Sequence, residues 1–442
     1  MKLTQLASSL LAAALLVTPV AASHAQSLLA IKAAPGKPDS TIVSSEKAEA
    51  FYNRGVIHFQ QGDSQGAIED LNQAIRLNPN NAQAYKMRGI VRSVLGEGQA
   101  AIADLTEAIR LNPNDADAYK MRGIVHLTLT EGQAAIADLT EAIRLNPNDA
   151  DAYKVRGIVR FVLGEGQAAI EDFTQAIRLD PSDVQAYNNR GAARGLRGDY
   201  QGAIADLTQA IRLNPKDADA YNLRGEVMLA LLDNPQRAIE DFTQAIRLNP
   251  NDVRAYNNRG AARVLLGNYQ QAIEDLTEAI RLNPNGADAY NIRGAARYHL
   301  GDYQEAIEDL TEAIRLNPND ADVYKVRRGM VRVVLGDYQE AIEDFTQAIR
   351  LNPKYAQAYY NRSIARRLSG DYQGAVEDSH RAIALNSQYA NAYYVSALAH
   401  QQLEQTQEAI ADLQKAAELF REHGKTDVYQ QIMNQIQQLQ HK

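Results

Sequence analysis

The chain has 442 residues, with 46 Lys and Arg against 54 Asp and Glu, and a formal charge of −8. A net acidic balance offers no long-range attraction to nucleic acid or anionic lipid, so no nucleic-acid partner is expected. The sequence contains no cysteine, which excludes disulfides, thiolate metal sites and thiol nucleophiles.

Residues 1–25 read as a secretory signal. Lys2 precedes a long apolar run, Leu6 to Ala22, and Ser23-His24-Ala25 offers small residues at the two positions that determine cleavage. The expected mature start is Gln26, and the expected location is outside the cytoplasm, in the periplasm or secreted. No later stretch is apolar enough to span a bilayer, so no membrane span is expected after cleavage. Residues 26–47, with Pro35, Gly36, Pro38 and several serines, read as a flexible linker.

From Ala48 the sequence repeats itself. Pro79, Pro113, Pro147, Pro215, Pro250, Pro284, Pro318 and Pro353 each follow Asn, and Pro181 follows Asp180. Their spacings are 34 or 35 residues, and nine of the 13 prolines belong to this one series. Gly55, Gly89, Gly123, Gly157, Gly191, Gly225, Gly260, Gly294 and Gly329 keep the same period, as do the alanines from Ala67 to Ala409. Eleven units result, spanning residues 48–423. In the first, helix A runs from about Glu49 to Gln61, and Gly62-Asp63 breaks it. Helix B then places Ala67, Ile68, Leu71, Ala74 and Ile75 on one apolar stripe. Asn78-Pro79 ends helix B, because the proline ring disfavours helical geometry in the residue before it. Ordering 34 residues costs on the order of 50 kcal/mol, more than a lone hairpin recovers, so each unit must bury its flank against the next. The predicted fold is all-α: an α-α superhelix, a right-handed solenoid of about eleven helix-turn-helix repeats with a concave and a convex surface. Residues 424–442 follow, with Val428, Ile432, Ile436 and Leu439 at helical spacing, and read as a C-terminal capping helix.

This pattern resembles the tetratricopeptide repeat family, on its glycine, alanine, apolar, alanine and proline positions, as at Gly55, Ala67, Leu71, Ala74 and Pro79. The helix A aromatic is present from Phe51 and Tyr85 through Tyr393. One departure is general: the residue before the glycine is Arg, as at Arg54, Arg88, Arg122, Arg156 and Arg190. Each Arg is expected to cover apolar surface and pair with an acid of helix B such as Glu69 or Asp70; the other reading is a ladder for acidic ligands.

The resemblance implies a groove lined mainly by helix A, at positions three before and one after the glycine. There the sequence offers Lys86, Lys120 and Lys154, then Asn188, Asn222, Asn257 and Asn291, then Lys325. Beside the lysines stand Ile90, Ile124 and Ile158, and beside Lys325 stands Met330. The family's chaperone-tail clamp pairs Lys with Asn at these places, so that activity is not carried over. A lysine rail facing a bound acidic segment is one reading, with its lysines exposed and replaceable without loss of stability. Recent duplication is the other, since Asn112 to Lys120 repeats as Asn146 to Lys154.

No two of the eight histidines sit at metal-ligand spacing on one helix, so no metal and no other cofactor is expected. No nucleophile elbow, phosphate loop or catalytic domain is present, so the chain is read as no enzyme. The expected function is a protein-interaction scaffold, monomeric, holding an extended segment or helix of a protein or peptide partner. The alternatives are a non-catalytic accessory subunit of an envelope enzyme or assembly machine, and a structural spacer.

Two units carry one extra residue. In unit six it falls in the turn Leu232-Asp233-Asn234-Pro235. In unit nine, where Tyr324 to Gly329 is five residues rather than four, it falls within helix A, at Lys325-Val326-Arg327-Arg328, where a single wide turn, a π-bulge, is predicted; the alternative is that the helix start shifts and Tyr324 repacks. Such a bulge would aim Arg327 or Arg328 in a new direction.

Overall fold

The computed structural model describes residues 40–231, 234–318 and 321–440. The signal at 1–25, the cleavage point before Gln26 and residues 26–39 of the linker lie outside them, as do Leu232 and Asp233 of the longer turn. Among the described residues every regular element is an α-helix, and the helices follow one another as helix-turn-helix pairs. The chain thus adopts the expected all-α repeat. It divides into two compact units, one up to Pro250 and one from Asn251. The first holds six pairs, from Ser40–Gln60 with Ser64–Leu77 to Ala218–Ala230 with Pro235–Leu248. The second holds five pairs, from Val253–Leu265 with Tyr269–Leu282 to Ala390–Gln402 with Thr406–Glu422, and then the helix Thr426–Gln440. That last helix buries Ile432 and Ile436 against Leu413, Ala417 and Phe420.

The repeat's punctuation has direct structural causes. Asn78 is extended, with ψ 89°, as the following proline requires, and its N–H still closes the last turn on the Ala74 carbonyl. Its Oδ1 accepts the Asn80 N–H at 3.2 Å, which turns the chain toward the next A helix. Asn81 or Asp115 then caps that helix, as when Asp115 Oδ1 accepts the Ala118 N–H at 3.0 Å. Within a pair, helices A and B meet at the glycine. A Cβ on Gly157 would stand 2.7 Å from the Phe173 ring, so a larger residue there would force the ring or the helix to shift.

The arginine ahead of each glycine anchors the pair. Arg156 reaches Asp172 of its own B helix with Nε at 3.0 Å and Nη2 at 2.7 Å. Its Nη1 donates to Thr140 of the preceding B helix at 3.1 Å. One turn along helix A, Arg160 donates to the same Asp172 carboxylate at 2.8 Å. Ladder guanidinia also lie over the helix A aromatic, as Arg156 does over Tyr153 at 5.6 Å. The fork recurs from Arg54–Asp70 to Arg362–Asp378, and the aspartates are buried. Of the two acids considered from sequence, Asp70 is the partner of Arg54, and that pairing holds its carboxyl below the ordinary value. In unit six the fork is kept across the longer connection, with Arg224 Nε 2.8 Å from Asp241.

Two expectations are corrected. Residues 40–47, read as part of a flexible linker, belong to the helix Ser40–Gln60. No Gly or Pro lies between Ser40 and Arg54, so nothing stops the first A helix from propagating upstream of Glu49. The bulge at 325–328 is absent as well: Ala321–Leu335 is α-helical throughout. The helix begins one residue farther from its glycine than its neighbours do. Arg328 therefore keeps the ladder position, with Nε 2.9 Å from Asp344, and Val326 fills the buried place three before the glycine. Starting a helix one residue earlier costs less than opening a backbone hydrogen bond inside it.

The turn from helix A to helix B passes through left-handed backbone, usually at glycine, as at Gly164 with φ +81°. In unit three Thr130 holds this place at φ 61°. A β-branched side chain there is strained. Replacing Thr130 by Gly should therefore stabilise the protein by about 1 kcal/mol in urea unfolding. A lower midpoint in the variant would contradict this account of the turn.

Candidate partner-binding face

The structure takes the lysine rail off the open surface. Lys86 Nζ lies 2.7 Å from Asp115 Oδ2, Lys120 Nζ 2.7 Å from Asp149 Oδ2, and Lys154 Nζ 2.7 Å from Asp183 Oδ2. Each aspartate is the cap of the next A helix, so one oxygen holds the helix terminus while the other takes the lysine of the preceding repeat. The lysine side chains are only 10–14% exposed. Burial pulls the Lys120 ammonium down, but its bond to Asp149, with Asp117 and Asp151 nearby, outweighs burial and holds it above its ordinary value. Lys154 is raised in the same way by Asp183 and Asp151 against burial. The staple's contribution is therefore present at neutral pH and lost only as pH rises through these elevated values. Asn188 continues the pattern, with Nδ2 2.7 Å from Asp217.

The remaining groove residues are also mostly internal. Ile90 and Ile124 are 2% exposed and pack with Leu105 and Leu139, and Ile158 packs with Phe161 and Phe173. Asn222 and Asn291 are buried, the former donating to Glu226 at 3.0 Å, and Asn257 is half-buried. The Oδ1 atoms of Asn188, Asn257 and Asn291 accept no hydrogen bond from the protein. Lys325 is half-buried and stands one place before the groove position, which Val326 occupies. The family's groove positions, read onto this chain, thus mark a seam between successive A helices.

Open apolar surface lies at the groove position Met330 and one turn farther along helix A, where Val94 of the first unit is 45% exposed and the second unit repeats the pattern. Met330 is 39% exposed, Val334 48% and Leu265 57%. Leu368 shares the register of Leu265 and Val334 and is exposed too. Met330 and Val334 border a cavity of about 150 Å³, lined also by Tyr298, Val333, Phe345, Asn361 and Ile364. Ile364 lies one helical turn before Arg367, the two side chains being neighbours on one face. Arg367 Nε is buried without a hydrogen-bond partner, and no carboxylate pairs with this guanidinium among the described residues. Sequence reading missed Val334 and Leu368 because it followed positions three before and one after the glycine. The signal was nonetheless there, since the position five after the glycine stays apolar at Val94, Val162, Leu265, Val334 and Leu368.

Family models described as "Tetratricopeptide repeat" match residues 48–81, 86–150, 120–184, 173–205, 218–252, 242–274, 262–321, 326–379 and 390–423, and one described as "TPR repeat" matches 196–231. The chain belongs to the tetratricopeptide repeat family. Among solved structures it is similar to yeast Tom70, at 18% identity over 89% of this chain and 96% of that one, with a TM-score of 0.41. A tetratricopeptide repeat protein from Parabacteroides merdae matches at 20% identity over 57% of this chain and 99% of its own, with a TM-score of 0.46. YrrB, described as a TPR protein with an unusual peptide-binding site, matches at 24% identity over 42% of this chain and 95% of its own, with a TM-score of 0.38. No curated protein matches the sequence.

Lys120→Glu tests the placement of the rail. It sets a second carboxylate against Asp149 in a poorly solvated seam and should cost about 3 kcal/mol in chemical denaturation. Lys120→Met, which keeps the apolar stem, should cost less. A Glu variant as stable as the parent would return the lysine to an open groove.

Proposed function

We propose that the protein is a non-catalytic scaffold that holds an apolar, acid-bearing segment of a partner protein on the A-helix face of its second unit. One observation carries this reading: Met330 and Val334 stand exposed over an apolar cavity, and Arg367, one helical turn after the cavity-lining Ile364, has a buried Nε without a hydrogen-bond partner. The ladder arginines, Arg362 and Arg366 of the same helix included, are held by aspartates, so their charge is spent within the fold. A guanidinium beside an apolar cleft favours a ligand that supplies a carboxylate together with aliphatic side chains. An extended segment suits the surface, because equivalent positions on successive A helices recur along it.

We also propose export to the periplasm or the exterior, supported by Lys2 and the apolar run from Leu6 to Ala22. No helix among the described residues is long and apolar enough to cross a membrane.

The test is selection from a random peptide display library against the purified protein, with Met330→Glu and Arg367→Glu as counter-variants. Selected peptides should combine aliphatic residues with at least one acid. Met330→Glu should weaken their binding by about tenfold or more, with an unchanged far-UV spectrum. Selection of basic peptides, or binding indifferent to both substitutions, would sink the proposal.

A further inference from the structure

The Arg–Asp ladder stops in the last repeat, and three substitutions coincide where it stops. Asp412 holds the place of the buried ladder aspartates, but Ser396 stands where the forked arginine would be. His400 replaces the second arginine, the place of Arg332 and Arg366. His380 replaces the threonine of the preceding B helix, the place of Thr311 and Thr346. With the guanidinium gone, one ligand atom from each of His380, His400 and Asp412 falls within 4.8 Å of the others. The three come from three consecutive helices, Tyr372–Leu385, Ala390–Gln402 and Thr406–Glu422.

The chemistry of the cluster is that of a cation site. Asp412 Oδ2 is buried and accepts no hydrogen bond from the protein. His400 Nδ1 bonds Gln405 Oε1 at 2.6 Å, which fixes the tautomer and leaves the Nε2 lone pair facing Asp412 Oδ2 at 3.7 Å. Lone pair and carboxylate repel unless a proton or a metal ion lies between them. The spacing itself is not distinctive, because His58 Nε2 lies 3.7 Å from Asp70 and His126 Nε2 3.6 Å from Asp138. Those two aspartates, however, are each held by an arginine fork from Arg54 or Arg122. Repeat eleven alone combines the missing fork with a second imidazole. Ser396, fully buried, keeps only its small hydroxyl near His380 Nε2, at 3.5 Å.

We propose that His380, His400 and Asp412 bind a divalent transition-metal ion of the zinc class, in place of the guanidinium that fills this position in the other ten repeats. Two imidazoles and a carboxylate are the ligands such an ion prefers, and a fourth position remains for water. Tetrahedral bonds of about 2.0–2.1 Å set ligand atoms roughly 3.3 Å apart. Small side-chain movements reach that spacing, and His380, being exposed, is free to make them and gives the ion its entry. The bound ion clamps the last two repeats together. Ligand spacing along one helix does not reveal the cluster, because its members lie 20 and 12 residues apart on three helices.

The full chain, stripped with EDTA and dialysed, is titrated with Zn(II) alone by calorimetry, with the melting temperature read in parallel. One equivalent per chain should bind with a dissociation constant of about a micromolar or tighter, and the melting temperature should rise. His380→Ala should weaken binding by about tenfold or more. Ser396→Arg should restore the fork to Asp412 and abolish zinc binding while the protein remains folded. A His58→Ala and His126→Ala double variant should bind as the parent does. Absence of saturable binding below about 100 μM, or binding that survives both His380→Ala and Ser396→Arg, overturns the proposal, as does loss of the equivalent in the double variant.

Discussion

A buried carboxylate held by a guanidinium fork governs this fold. In ten successive repeats an aspartate sits at the crossing of helices A and B, closed off from water. Alone it would be very costly there; an orphaned buried charge costs about 3–5 kcal/mol. The arginine before the glycine supplies both oxygens with hydrogen bonds, and its third nitrogen reaches the preceding B helix. From the second repeat on, the fork therefore ties two repeats, and the aromatic beneath the guanidinium fixes its plane. The small residue after that arginine, glycine in nine repeats and Ser363 in the tenth, is the other half of the arrangement, because it lets the helices approach closely enough for the fork to reach the aspartate.

The lysine–aspartate staple does for successive A helices what the fork does for the B helices. One carboxylate caps a helix and receives the lysine of the repeat before. The lysines of the rail are thus paired inside the first unit. The positions that escape this pattern carry the functional readings: Met330, Val334 and Arg367 on an open face, and His380, His400 and Asp412 where the fork is missing.

Much of this was legible in the chain itself. The 34-residue period, the Asn-Pro pair and the Gly-Ala spacing set the helices and their ends, because backbone chemistry acts over a few residues. The arginine–acid pairing was legible too, down to two neighbouring acids. The groove was not. Lys120 and Asp149 are 29 residues apart, and no local pattern tells that one side chain spans the seam to the other's cap. The extra residue of unit nine was read against Tyr324, whereas the buried glycine and the Arg328 fork fix the register and the helix start yields. The histidine cluster was hidden for the same reason as the staple, since its members meet only when three helices pack.

A double-mutant cycle on Arg190 and Asp206 tests the governing interaction most directly, using urea unfolding of Arg190→Ala, Asp206→Ala and the pair. Arg190 contacts Asp206 at 2.6 and 2.9 Å in a partly buried crossing. A coupling energy of about 2 kcal/mol or more is predicted, the double variant being much less destabilised than the sum of the singles. Additivity within about 0.5 kcal/mol would show that the fork does not hold the repeats together.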